Sequence, residues 1–138
     1  MHSDWHIEFM KKNILLVDDD QICNFLTQQI LLRMEVANEI YTALNGREAL
    51  KLLTPIENNP GIKPDLILLD LNMPIMDGFT FLDQLKELQI PGKEKISIVI
   101  VSSSQNSNDV KRAMDKGVDH YLTKPISIVE LKSILDIQ

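Results

Sequence analysis

The stretch Asp65-Leu66-Ile67-Leu68-Leu69-Asp70-Leu71-Asn72-Met73-Pro74-Ile75-Met76-Asp77-Gly78 decides how this chain folds. Leu66 to Leu69 form an unbroken apolar run, too short for a helix and without alternation, and so read as a strand buried on both faces. The run stops at a carboxylate, Asp70. Pro74 cannot continue a central strand, and Asp77-Gly78 is a turn dipeptide. Asp70 therefore stands where a buried strand opens into a loop, the edge at which open α/β sheets bind ligands. Taken alone, an aspartate there is a turn former that bonds its own backbone. Its company argues for more.

Outward from this stretch, the same pattern repeats. Asn13–Val17 is apolar from Ile14 onward and ends at Asp18-Asp19-Asp20. Ile96–Val101 is apolar at Ile96, Ile98, Val99, Ile100 and Val101 and ends at Ser102-Ser103-Ser104. Glu39–Ala43 and Val118–Leu122 are mixed, and the second ends at Thr123-Lys124-Pro125. Helical spacing separates the strands. Ile22, Cys23, Phe25, Leu26, Ile30 and Leu31 recur at three and four after the first strand, which predicts an inward face and a buried structural thiol. Further helices are predicted over Arg47–Leu53, Phe79–Leu88 and Asn108–Lys116, with Val110, Ala113 and Met114 inward in the last of these. A capping box, Ser127-Ile128-Val129-Glu130, opens a fifth helix with Val129, Leu131, Ile134 and Leu135 inward. Thr54–Pro64, with its three prolines, is a long loop.

Five strands alternating with five helices imply an α/β fold with a parallel sheet and right-handed crossovers. Strands one, three and four, with apolar runs on both faces, belong in the centre, and the mixed strands two and five at the edges. The doubly wound order 2-1-3-4-5 satisfies this, with the topological switch between strands one and three. Residues 1–12 read as a polar leader and 13–138 as one domain.

Composition narrows the function. The 138 residues are 44% hydrophobic and 25% charged, as expected of a globular domain. The net charge of −6, without a basic tract, argues against nucleic-acid binding. No apolar run approaches the roughly 18 residues of a membrane span, so no membrane insertion is expected. Met1–Lys12 lacks a signal-peptide core, and the single cysteine leaves no internal disulfide; a cytoplasmic protein is expected.

The strand ends now converge. Strand one delivers Asp18 and Asp19, strand three Asp70 and then Asn72, strand four Ser102, and strand five Lys124. Crowded carboxylates repel and raise one another's pKa, and a hard cation such as Mg²⁺ relieves that. Singly, each residue has a plain structural role: a helix-start anion, a turn hydroxyl, a solvated lysine. Together at one sheet edge they form a site.

The motifs Leu15-Leu16-Val17-Asp18-Asp19-Asp20, Leu68-Leu69-Asp70-Leu71-Asn72-Met73-Pro74, Met76-Asp77-Gly78, Val101-Ser102-Ser103 and Tyr121-Leu122-Thr123-Lys124-Pro125 resemble the receiver domain of two-component response regulators, over about Asn13 to Leu135. The resemblance implies a flavodoxin-like sheet and a chemotaxis-type, single-domain protein. It implies Asp70 as phosphoacceptor, Asp18 and Asp19 with Asp70 as Mg²⁺ ligands, and the Asn72 backbone carbonyl completing that metal site. Ser102 matches the switch hydroxyl, Lys124 the lysine that contacts the phosphoryl group, Tyr121 the rotating switch aromatic, and Pro125 a proline whose preceding bond is usually cis. It further implies a phosphorelay in which a sensor histidine kinase or histidine phosphotransfer protein is the donor. The protein would catalyse only its own phosphorylation and dephosphorylation. Output would pass through the face of the fourth helix, fifth strand and fifth helix, to an unidentified downstream protein or to a second copy as a homodimer. Ser103, where alanine is common, Ile126, where phenylalanine is frequent, and the long Thr54–Pro64 loop depart from the family pattern.

Two rivals carry the same elements. A haloacid-dehalogenase-like phosphatase would need a second aspartate two residues after the nucleophile, where Asn72 stands, and a cap domain. A flavodoxin-like flavin binder would need a phosphate cradle after strand one, where three aspartates would repel phosphate.

Overall fold

The structure, a computed structural model, describes residues 11–135. Five parallel strands, β1 (Lys12–Val17), β2 (Ala37–Ala43), β3 (Leu66–Leu69), β4 (Ser97–Ser102) and β5 (His120–Thr123), lie in the order β2-β1-β3-β4-β5. Five α-helices alternate with them: α1 (Gln21–Met34), α2 (Gly46–Leu53), α3 (Gly78–Glu87), α4 (Ser107–Asp115) and α5 (Ile128–Ile134). The expected flavodoxin-like α/β topology is therefore the one found. Residues 1–10, most of the expected leader, lie outside the described residues, and Lys12 is already the first residue of β1.

Alternation along the central strands splits the core in two. Leu15, Val17, Ile67, Leu69 and Ile100 point to the face covered by α2, α3 and α4, where Ala49, Leu53, Phe81, Leu85 and Ala113 meet them. Ile14, Leu16, Leu66, Leu68, Val99 and Val101 point to the other face, against Leu31 of α1 and Leu131 and Leu135 at α5. All four residues of β3 are buried, which accounts for the unbroken apolar run read from the sequence. Each such side chain stabilises the fold by roughly 1.5–3 kcal/mol relative to exposure.

Side chains cap the helix starts. Asp20 accepts from the amides of Ile22 (3.0 Å) and Cys23 (3.2 Å), Asn45 from Glu48 (2.9 Å), and Asp77 from Thr80 (2.8 Å). Half of the expected capping box is present: the Glu130 amide donates to Ser127 Oγ at 3.0 Å, while Glu130 Oε1 accepts from that same hydroxyl at 3.1 Å where the full box has it accept from the Ser127 amide. Lys93 closes the end of α3, its ammonium donating to the carbonyls of Leu85, Lys86 and Leu88 at 3.1, 2.7 and 2.7 Å.

The inward faces of three helices differ from the expectation. In α1, Ile22, Phe25 and Leu26 are 70, 58 and 56% exposed, while Asn24, Thr27 and Leu31 are buried. Cys23 is half-buried rather than enclosed. The spacing 24, 27, 31 is as helical as 22, 26, 30. Asn24 wins the inward place because its amide reaches the Asp18 carbonyl at 2.9 Å, a bond no apolar side chain could supply. In α4, Ala113 faces the core but Met114 is exposed, and in α5 Val129 is exposed. Element limits differ by one or two residues, as helix and strand ends do.

Candidate functional site

The parallel register brings the strand ends together. Val17 pairs with Leu69, Leu69 with Ile100, and Ser102 with Thr123. The next residues continue the ladder: the Asp70 amide donates to the Val17 carbonyl (2.9 Å) and the Lys124 amide to the Ser102 carbonyl (2.9 Å). Asp18, Asp70, Ser102 and Lys124 thus emerge from four strands at one edge, across the β1/β3 switch point.

Asp18, Asp19 and Asp70 each offer a carboxylate oxygen within 4.8 Å of the other two. Asp18 and Asp70 are buried and Asp19 is exposed, so the cluster has a closed floor and an open mouth. The Lys124 ammonium lies 2.8 Å from Asp18 Oδ2 and 3.8 Å from Asp70 Oδ2. Asp18 Oδ1 also accepts from the Asp20 amide at 2.9 Å. One cation is thus shared between the two buried carboxylates of a three-carboxylate cluster.

The electrostatics follow. Burial, reinforced by the charge of Asp18 and further by that of Asp19, pushes the Asp70 carboxyl up to about 6, although Lys124 and the Asn72 amide bonded to it pull the other way. Burial alone would lower the Lys124 ammonium, but its bond to Asp18 and the charges of Asp70 and Asp18 outweigh that and raise it, so Lys124 stays charged. Burial and the adjoining Asp18 lift the Cys23 thiol to about 11, which keeps it protonated. A carboxylate cluster held this far from ease suits a small hard cation with oxygen ligands, and the donor set fits one.

The loop after β3 folds back over Asp70. The Gly78 amide donates to the Leu71 carbonyl (2.9 Å), and a Cβ at residue 78 would lie 2.6 Å from the Asp70 carbonyl oxygen, so only glycine allows this approach. Ile75, at φ 68°, occupies the left-handed region unusual for a β-branched residue, within a tight turn closed by Met76 N–H to Pro74 C=O at 2.7 Å.

Each residue expected at the site can be placed. Asp18, Asp19 and Asp70 cluster, and Lys124 pairs with Asp18 and Asp70. Asn72 is exposed on the loop, its amide directed to the Asp70 carboxylate. Ser102 is fully buried, and its Oγ accepts from the Ser104 amide at 3.0 Å. Tyr121 is half-buried against the core, its hydroxyl donating to the Ser104 carbonyl at 2.9 Å. The Lys124–Pro125 peptide bond is cis. The sequence reading missed Asn24 and Ser104. The polar pair Asn24 and Thr27 in α1 and the serine run after β4 were visible, but which of them bonded what was not.

A sequence model of the "Response regulator receiver domain" matches residues 14–136. "Response regulator Rcp1" of Synechocystis sp. (strain ATCC 27184 / PCC 6803 / Kazusa) is 35% identical over 123 residues, covering 87% of this chain and 81% of the relative. The "Nitrate/nitrite response regulator protein NarL" of Escherichia coli (strain K12) is 34% identical over 88% of this chain, which spans only 52% of that longer protein. Among solved structures, the "Phosphorylated Cyanobacterial Phytochrome Response Regulator RcpA" superposes with a TM-score of 0.74 at 35% identity, covering 91% of this chain and 89% of the other. The "Mn(2+)-bound form of response regulator Rcp1" does so with a TM-score of 0.72 at 32% identity, covering 90% and 88%. With fold, site and sequence in agreement, the chain belongs to the response regulator receiver domain family of two-component signalling.

Proposed function

We propose that this receiver accepts a phosphoryl group on Asp70 from a phosphohistidine, carried by a sensor histidine kinase or a histidine phosphotransfer protein. The observation that carries the reading is the buried Asp70 carboxylate at the end of a central strand, within 4.8 Å of two further carboxylates and 3.8 Å of an ammonium. An Asp70 oxygen attacks phosphorus, the phosphorus–nitrogen bond breaks, and the electron pair leaves with the donor imidazole. Such a transfer needs chiefly positioning and charge neutralisation. Lys124, 2.8 Å from Asp18 and 3.8 Å from Asp70, already stands between the two acids and would meet a phosphoryl oxygen on Asp70. Asp18, Asp19 and Asp70, with the Asn72 backbone carbonyl, would hold Mg²⁺; Mn²⁺ is bound in the related Rcp1 structure. When bound, the ion offsets the carboxylate charges and that of the incoming phosphoryl oxygens. The exposed Ile22, Phe25 and Leu26 on α1, next to a cleft lined by Lys124, Pro125 and Ile126, give the donor protein apolar surface beside the entrance.

The remaining roles belong to the same reading. Ser102 donates its hydroxyl to the phosphoryl group, and Tyr121 couples that contact to the face of α4, β5 and α5, where a downstream protein or a second copy binds. The protein turns over no external substrate beyond its own phosphorylation and dephosphorylation, and works in the cytoplasm. Among the described residues no helix is long and apolar enough to cross a membrane.

The test is intact-mass analysis after incubation with a small phosphodonor and Mg²⁺. One phosphoryl group should add to the native protein and none to Asp70→Asn. Undiminished, acid-stable labelling of Asp70→Asn would assign the chemistry to another residue.

A further inference from the structure

Ser104 uses every polar atom it has. Its amide donates to Ser102 Oγ (3.0 Å), its carbonyl accepts from the Tyr121 hydroxyl (2.9 Å), and its own hydroxyl donates to Asp109 Oδ2 (2.7 Å). The Asn106 amide, at the cap of α4, also donates to Ser104 Oγ, at 3.2 Å. A single residue in the β4–α4 connection therefore ties the buried hydroxyl at the end of β4, the ring on β5, and the first turn of α4. Asp109 is the charged partner in this arrangement and the shortest contact in it.

The geometry points to Asp109 as a positioning residue for the phosphoryl contact, acting through Ser104 on Ser102 and Tyr121; this rests on the reading of Asp70 as phosphoacceptor. The physical reason lies in the hydrogen-bonding capacity of a hydroxyl. Ser102 has one proton to give and two lone pairs. With a lone pair engaged by the Ser104 amide, its proton is left free to donate, and an accepted bond polarises a hydroxyl into a better donor. The Ser104 amide holds that position only while its loop is held, and the charge-assisted bond to Asp109 is what holds the loop to α4. The same anchor fixes the carbonyl that Tyr121 uses. Asp109 lies outside the acid cluster and touches neither Asp70 nor Lys124, so its effect on the site travels through the loop.

Beryllofluoride, a phosphoryl mimic, measures this directly as binding to the intact protein in Mg²⁺. Ser104→Ala and Asp109→Ala should each weaken binding by about tenfold, the lower end for loss of a charge-assisted hydrogen bond. The double variant should be no weaker than the weaker single, because both remove one link. Ser104→Thr, which keeps the bond, should bind within about twofold of the native protein, and Asp109→Asn, which keeps an acceptor without its charge, within about threefold. The Tyr121 ring resonances should move in both alanine variants and stay in place in the conservative pair. Melting temperatures of all variants identify any loss caused by unfolding, and Asp109→Asn separates the bond from the helix-start charge. Unchanged binding in either alanine variant, or losses that multiply in the double variant, overturns the inference. If the native protein fails to bind beryllofluoride at all, the phosphoacceptor reading falls and this inference falls with it.

Discussion

Asp70→Asn should make the metal-free protein more stable at neutral pH while abolishing its chemistry. Asp70 sits 7% exposed beside Asp18, and its carboxyl is raised from 3.8 to about 6. The native state therefore holds this proton more tightly than the unfolded chain does. Between about pH 4 and 6 the unfolded chain has released the proton that the native state retains, so stability falls as pH rises through that window and the deficit is constant above it. A rise of about two pH units, at 1.36 kcal/mol each, amounts to about 3 kcal/mol against the native fold at pH 7. Asparagine has the same shape and no charge to desolvate. Urea unfolding in EDTA, repeated from pH 4 to 8, should show the variant equal to the native protein at the acid end. The gap should widen to about 2–3 kcal/mol by pH 7. Saturating Mg²⁺ should narrow it by stabilising only the native sequence. An offset independent of pH, or an Asp70→Asn protein less stable at pH 7, would refute the argument that ionised Asp70 is held at a cost.

Three other outcomes are expected. Mg²⁺ at a hundredfold excess over its dissociation constant should add about 2.7 kcal/mol to unfolding stability, and Asp19→Ala should lose most of that gain; identical melting of both proteins with and without the ion removes Asp19 from the metal set. Gly78→Ala should cost about 2–3 kcal/mol, because its Cβ would lie 2.6 Å from the Asp70 carbonyl oxygen, and slow phosphorylation from small donors in parallel; a neutral effect in both assays would show that the loop gives way freely. Phe25→Ser should change stability by less than about 0.5 kcal/mol while Leu31→Ala costs about 2–5 kcal/mol, despite both lying in the same apolar pattern; comparable losses would place Phe25 in the core after all.

The sequence by itself determined the topology and the membership of the site. The runs at Ile14–Val17, Leu66–Leu69 and Ile98–Val101 lack alternation because both sides of each strand are covered, so the central strands could be read from local pattern, which the doubly wound order then satisfied. Once the strands are parallel and ordered, the residues after their last apolar positions must share one edge, which is why Asp18, Asp70, Ser102 and Lys124 could be grouped before any coordinates. Only the tertiary structure decided which groups touch. Lys124 sits closer to Asp18 than to Asp70 although 106 residues of chain separate it from Asp18, and nothing local to either encodes that choice. The turn of α1 about its axis was equally hidden: two stripes have helical spacing, and the one holding Asn24, Thr27 and Leu31 faces inward because Asn24 can satisfy the Asp18 carbonyl. Ser104 looked like one serine in a run of three until Ser102, Tyr121 and Asp109 closed around it. Periodicity reports how much of a residue is buried, but hydrogen bonds and ion pairs depend on the direction and distance of partners from other strands and helices, which only the folded chain supplies.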